Sequence, residues 1–352
     1  MSGNSNLSII DRLAGGAEVT REEWRVLLTS LSPEEQLLLH ERARGVAVSN
    51  FGQGIYVRAL LEISSYCRNN CFYCGLRCSN SSAQRYRLTK EEILDCCCEA
   101  DKLGFNTFVL QGGEDPKQDD AWVADVVAAI RTAYTDKAIT LSLGERGEEG
   151  YRMLKMAGAD RYLLRHETRA DEHYSQLHPS TMSGERRRNC LRTLKSLGYQ
   201  TGSGMMIGSP HQTVDNIVDD FIFLEELQPQ MIGVGPFVPA SNTPFEHYAA
   251  GTVEQTILVV SLLRLRFPHA LLPATTALST IHPQGMERAV LAGANVVMPN
   301  VSPMNVRSKY SIYNNKMNSG TQSAQQLALL EARLNAIGYH IDFGRGDYNE
   351  HK

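Results

Sequence analysis

The sequence predicts an α/β protein, a (β/α)8 barrel of the TIM type with a helical extension at its N-terminus, and three observations lead there. From residue 56 onward, short apolar segments alternate with longer amphipathic ones. Eight such pairs within roughly 280 residues suit a closed barrel better than an open doubly wound sheet. Glycine recurs where helices should end, at Gly104, Gly158, Gly198 and Gly293, as left-handed C-caps require.

Ahead of the barrel, Thr20 followed by Glu23, and Ser32 followed by Pro33 and Glu35, read as helix N-caps with capping boxes. Leu27, Leu28 and Leu31, then Leu37, Leu38 and Leu39, supply the apolar faces of that preface. Strands follow at 57–63, 106–110, 138–143, 161–165, 201–207, 231–234, 271–275 and 295–298. Helices fall near 89–103, 119–134, 147–157, 183–197, 213–227, 252–267 and 283–292, with a last one near 323–337. No linker rich in Pro, Gly or Ser divides the series. The organisation is therefore a helical extension over 1–55, a barrel over 56–310, and a C-terminal helix and tail over 311–352 that closes it.

Composition bounds the function. The chain is 42% hydrophobic and 21% charged, with a formal net charge of -4, so no basic surplus exists for a nucleic-acid backbone. No apolar run approaches the roughly 20 residues that span a bilayer, and residues 1–6 lack the features of a signal peptide. A cytoplasmic protein without nucleic-acid or membrane partners is expected. The eight cysteines cluster at Cys67, Cys71, Cys74 and Cys78, then at Cys96, Cys97 and Cys98, with Cys190 alone. That pattern is not a disulfide framework. Helical neighbours point about 100° apart, so Cys96–Cys98 cannot converge on one metal; these three and Cys190 are read as core.

A barrel places its site at the C-terminal ends of its strands. Those ends carry Cys67 onward, Gln111-Gly112-Gly113-Glu114, Ser142 and Glu145, Arg165-His166-Glu167-Thr168, Met206 and Gly208, Pro236, Thr275-Thr276, and Pro299-Asn300. The first of these has the spacing C-x3-C-x2-C over Cys67, Cys71 and Cys74. Thiolates suit iron–sulfur clusters or zinc. Structural zinc needs a fourth protein ligand, for which Cys78 is the available thiol. Three cysteines on one loop instead leave one iron of a 4Fe-4S cluster open. That iron can chelate the amino and carboxylate groups of S-adenosylmethionine (SAM), and an electron from the cluster can cleave a carbon–sulfur bond. Directly after the first barrel strand, the triplet reads as a radical SAM motif.

Neighbouring residues fit that reading. Gly112 and Gly113 let backbone approach a ligand, and Glu114 is a partner for the SAM ammonium. Glu167 suits the ribose hydroxyls, and Arg187 on the next helix suits the methionine carboxylate. Arg161 alternates with Tyr162, so one of the two points into the barrel, and an inward arginine would require an anion or carboxylate there. Tyr310 and Tyr313 line the mouth or pack against it.

With these residues assembled, the chain resembles the HydE family of FeFe-hydrogenase maturases, in the biotin-synthase-like branch of radical SAM enzymes. The resemblance runs over most of 55–310 and is carried by 67–77, 109–116, 140–145, 159–168, 233–239, 273–277 and 293–300. It implies a radical SAM barrel that builds the di-iron precursor of the hydrogenase H-cluster from an iron carbonyl–cyanide cysteine complex. It implies Cys67, Cys71 and Cys74 as cluster ligands, and Tyr73, Gln111, Gly113, Glu114, Ser142, Glu167, Arg187 and Met206 around SAM. Thr140, Arg161, Arg165, Thr275, Thr276 and Tyr310 would line the cavity of a small organometallic or amino-acid-derived substrate. The partners it implies are other hydrogenase maturases and an electron donor such as ferredoxin or flavodoxin. Some members hold a second cluster on cysteines after the barrel; residues 300–352 contain no cysteine, so a single cluster is expected. The alternative is a related mutase acting on an amino acid, as methylornithine synthase does.

Overall fold

The computed structural model describes residues 3–317 and 323–349, with side chains from residue 6 onward. Three helices, Gly3–Ala14, Arg21–Thr29 and Pro33–Phe51, precede the first strand. Both expected capping boxes form, Thr20 with Glu23 and Ser32 with Glu35, and Pro33 takes the first helical position of the third helix. Trp24 is fully buried and stacks on Phe221 at 4.3 Å between ring centroids, which ties this extension to the barrel wall.

Six parallel strands form one sheet in sequence order: Ala59–Ser64, Thr107–Gly112, Ala138–Ser142, Arg161–Leu163, Gln200–Ser203 and Met231–Ile232. The remaining wall closes through single bridges, Met231 to Leu271, Pro273 to Val296 and Leu60 to Asn300, all parallel. Val296–Val297 also pairs with Gly54–Val57, the segment leading into the first barrel strand. The expected strand at 271–275 is thus the least regular of the eight. Pro273 has no N–H to give its neighbour, which thins the ladder there.

Helices Lys90–Lys102, Asp120–Ala133, Glu148–Met156, Gly184–Ser196, Val214–Leu227, Val253–Arg266 and Gly285–Leu291 return the chain between strands. Gly104, Gly158, Gly198 and Gly293 follow helix ends with φ of 89°, 116°, 75° and 107°, so the four glycine stops are conformational necessities. Sequence reasoning did not find the short helices Asp171–Leu177, Thr276–Ile281 and Met304–Arg307, or the strand His340–Asp342. That last strand pairs in parallel with Gly54–Val57. Cys96, Cys97 and Cys190 are buried as expected, but Cys98 faces outward, because the third of three helical neighbours has turned away from the core. Among the described residues no helix is long and apolar enough to cross a membrane.

Candidate active site

Strand alternation sorts the barrel into two surfaces. Ala59, Leu61 and Ile63 join the core beneath the helices, whereas Leu60 and Glu62 line an open cavity of about 230 Å3 that also includes Thr276, Met298, Asn300 and Lys316. The chain then leaves the first strand into the loop bearing Cys67, Cys71 and Cys74, all three half-buried.

That loop is fixed at both ends. At its start, Asp115 accepts from Ser64 Oγ at 2.6 Å and from Arg87 Nε and Nη2 at 2.5 and 2.8 Å. The Arg87 guanidinium also lies 3.5 Å from the centre of the Tyr66 ring. At its end, the Gly75 N–H donates to the Ile312 carbonyl, and Arg85 donates to the carbonyls of Ser65, Leu76, Arg77 and Asn80. Gly113 sits beneath the loop. A Cβ there would lie 2.2 Å from the Tyr66 oxygen and 2.7 Å from Cys67 Cβ, so only glycine allows this approach. Burial raises the Cys67 thiol, and burial together with the neighbouring Cys67 pushes Cys74 up to about 12.

A cluster of four irons fits this loop better than a single ion does. Among the described residues no three His, Cys, Asp or Glu side chains converge to hold one metal ion. A zinc site with Cys78 as fourth ligand would need such convergence. A cubane instead takes one thiolate on each of three separate irons, which three well-spaced thiols on one loop can supply.

The surrounding side chains divide by what they touch. Glu114 holds Arg68 by Nε at 3.1 Å and accepts the Glu145 N–H at 2.8 Å, while Gly144 leaves room for its methylene. Arg187 is buried and donates to Glu145 at 2.8 Å and to the Arg165 carbonyl at 3.2 Å. Arg165 donates to Glu167 at 2.7 Å. Met206 packs with Leu177, Phe237 and Phe245 against Phe72 and Tyr73. Ser142 is in register with Gln111, whose amide is 3.5 Å from Tyr310 Oη. Thr140 and Thr275 each carry a buried hydroxyl without a hydrogen-bond partner among the described residues. Thr276 lines the same open cavity as Glu62 and Lys316.

Arg161 departs from its expected place. It opens its strand at the N-terminal end of the barrel, where it donates to the Arg345 carbonyl at 2.8 Å and to Asp347 at 2.6 Å. The carboxylate that an inward arginine requires comes from the chain's own tail, so Arg161 closes the barrel floor rather than lining the substrate cavity.

Several site residues escaped sequence reading. His178 Nε2 lies 3.2 Å from Tyr73 Oη, and its Nδ1 lies 3.0 Å from the Tyr174 carbonyl. Met182 Sδ is 3.8 Å from Cys71 Sγ. Both belong to the segment after Asp171–Leu177, an insertion between the fourth strand and its main helix that covers the cysteine loop. Lys316 reaches back from beyond the last strand to Glu62 at 2.5 Å, with Asn300 donating to the same carboxylate at 2.8 Å. No local signal marks such long-range partners.

A parallel barrel with three loop cysteines at its mouth and glycine beneath them defines a radical SAM enzyme, and residues 61–224 match the model of the Radical SAM superfamily. The FeFe-hydrogenase maturase subunit HydE of Thermotoga maritima is 42% identical over 317 residues, 90% of this chain and 89% of its own length. The chain belongs to the HydE family of maturases. The family implies a 4Fe-4S cluster and SAM. More distant relatives include 3-methylornithine synthase of Methanosarcina acetivorans, 29% identical over 82% of this chain and 81% of its own. The crystal structure of methylornithine synthase (PylB) superposes with a TM-score of 0.84 at 26% identity, covering 95% of this chain and 97% of that one.

Proposed function

We propose that the chain is a maturase of the FeFe-hydrogenase H-cluster that acts on an iron carbonyl–cyanide cysteine complex to give the precursor of the di-iron subcluster. The observation that carries this reading is 42% identity to HydE along 90% of the chain, spanning both the cysteine loop and the barrel cavity. In this reading Cys67, Cys71 and Cys74 hold one 4Fe-4S cluster, whose chemistry when bound is to supply an electron for reductive cleavage of SAM to an adenosyl radical. Tyr73, Gln111, Gly113, Glu114, Ser142, Glu167, Arg187 and Met206 surround SAM. Gly113 keeps the loop close, Met206 and Tyr73 exclude water, and Arg187 presents a buried cation to a carboxylate. Thr140, Arg165, Thr275, Thr276 and Tyr310 face the substrate; the unpartnered hydroxyls of Thr140 and Thr275 are donors for cyanide or carboxylate groups. Partner maturases deliver and receive the complex, and ferredoxin or flavodoxin donates the electron. The three-part division at residues 55 and 310, and a cytoplasmic location, belong to the same proposal.

A mutase acting on an amino acid is the second reading, favoured by the fold likeness to methylornithine synthase. One experiment separates them. Protein reconstituted without oxygen is reduced with SAM and given either the iron–cysteine complex or candidate amino acids. The proposal expects the iron complex to be consumed in an adenosyl-radical-dependent reaction, and replacement of any loop cysteine by alanine to abolish SAM cleavage. Catalytic formation of an amino-acid isomer, with no turnover of the complex, overturns it.

A further inference from the structure

Glu167 adopts φ of 67°, in the left-handed region that a residue with a side chain occupies only when its surroundings compel it. Its N–H donates to the Gly204 carbonyl at 3.1 Å. Its side chain is buried, and its carboxylate accepts from Arg165 Nη2 at 2.7 Å.

The preceding residue is held by the helix outside the barrel. His166 is buried, with Nδ1 2.9 Å from Ser203 Oγ and Nε2 3.2 Å from Asp220 Oδ1, its ring edge-on to Phe223. The same Asp220 oxygen accepts the Arg169 N–H at 2.5 Å. Asp220 lies in the middle of helix Val214–Leu227, wholly buried among Val218, Phe221 and Leu224. A carboxylate in such a place is unfavourable unless it holds something. Here one oxygen grips the side chain of residue 166 and the backbone of residue 169, so it holds the chain on both sides of Glu167.

We infer that His166 and Asp220 are positioning residues for SAM, clamping the strained turn from behind the barrel wall so that Glu167 meets the cofactor. This rests on the reading of Glu167 as a SAM contact. It adds two residues that touch neither cluster nor cofactor.

The test uses the reconstituted, reduced holoprotein. Iron content, the change in the cluster's electron paramagnetic resonance spectrum on adding SAM, and SAM affinity by equilibrium dialysis are compared for D220A, D220N, H166F, E167Q and D220A/E167Q. D220A is expected to keep its iron while losing about tenfold or more in SAM affinity, with a weakened spectral response. D220N, which keeps an acceptor for Arg169, recovers much of that loss. The double variant binds no worse than E167Q alone, because both changes act through one contact. If D220A does not fold, H166F is judged by the same criteria. Unchanged SAM affinity in D220A, or in H166F where that decides, alongside an impaired E167Q overturns the clamp but spares the role of Glu167. Unchanged affinity in E167Q overturns the role of Glu167 and the clamp with it. Loss of iron in D220A and D220N alike makes the pair merely structural and overturns the inference.

Discussion

Gly113 has no room for even a methyl group, since the Tyr66 carbonyl and Cys67 Cβ occupy the space. Gly113→Ala is expected to push the cysteine loop outward and to destabilise the fold by about 1–3 kcal/mol. Reduced iron incorporation per chain, measured beside urea midpoints, checks this. His178 shows how burial sets a charge state. Burial first, then the charge of Arg187, lowers its imidazole from 6.5 to about 3. The unfolded chain therefore binds the proton that the folded chain refuses, and stability rises with pH across that window. Stability is full above about 6.5 and is lost progressively as pH falls toward about 3. His178→Gln should flatten the difference in stability between pH 7 and pH 5 measured by denaturant titration; an unchanged slope refutes the assignment.

Among the elements, the segment 308–317 ties the cysteine loop to the barrel interior. Gly75 is packed against the Ser311 carbonyl and donates to the Ile312 carbonyl at 2.9 Å, and Asn314 accepts from Ser241 N and Oγ. At its far end Lys316 meets Glu62, both almost fully buried, with its ammonium 5.0 Å from the centre of the Tyr310 ring. Removing one partner of a buried pair strands the other charge. Lys316→Ala is expected to cost about 3 kcal/mol and to speed hydrogen exchange at the Gly75 amide. Exchange at Gly75 equal to wild type would show that the two ends of the segment are not coupled.

At the scale of the molecule, the two ends of the barrel are closed by different parts of the chain. The mouth carries the cysteine loop and the segment Asp171–Ser183. The floor is sealed by 340–349, which adds a strand to Gly54–Val57 and brings the Gly346 carbonyl to Arg58 and Asp347 to Arg161. Burial works against ionisation of Asp347, but hydrogen bonds from Arg345 and Arg161 outweigh it and hold the carboxyl below the usual range. Its contribution is present at neutral pH and is lost as acid protonates it. Asp347→Ala should lower stability by about 2 kcal/mol, less than a fully buried pair because the carboxylate is partly exposed. The loss should be largest near pH 7 and shrink in acid, as denaturant titrations at several pH values would reveal.

The sequence by itself determined the barrel, most helix boundaries and the cysteine loop, because each is written in local terms. Periodicity set the faces, capping residues and glycines set the helix ends, and close spacing put Cys67, Cys71 and Cys74 on one loop. Tertiary structure alone decided the partners. The Glu62–Lys316 pair is separated by 254 residues and the Arg161–Asp347 pair by 186, distances over which no pattern announces a contact. It moved Arg161 from the substrate cavity to the floor, because alternation tells which way a side chain points but not which end of the barrel it reaches. The three loop cysteines could be recognised from spacing; the strained turn at Glu167, and the buried Asp220 behind it, could be recognised only once distant strands and a helix were packed together.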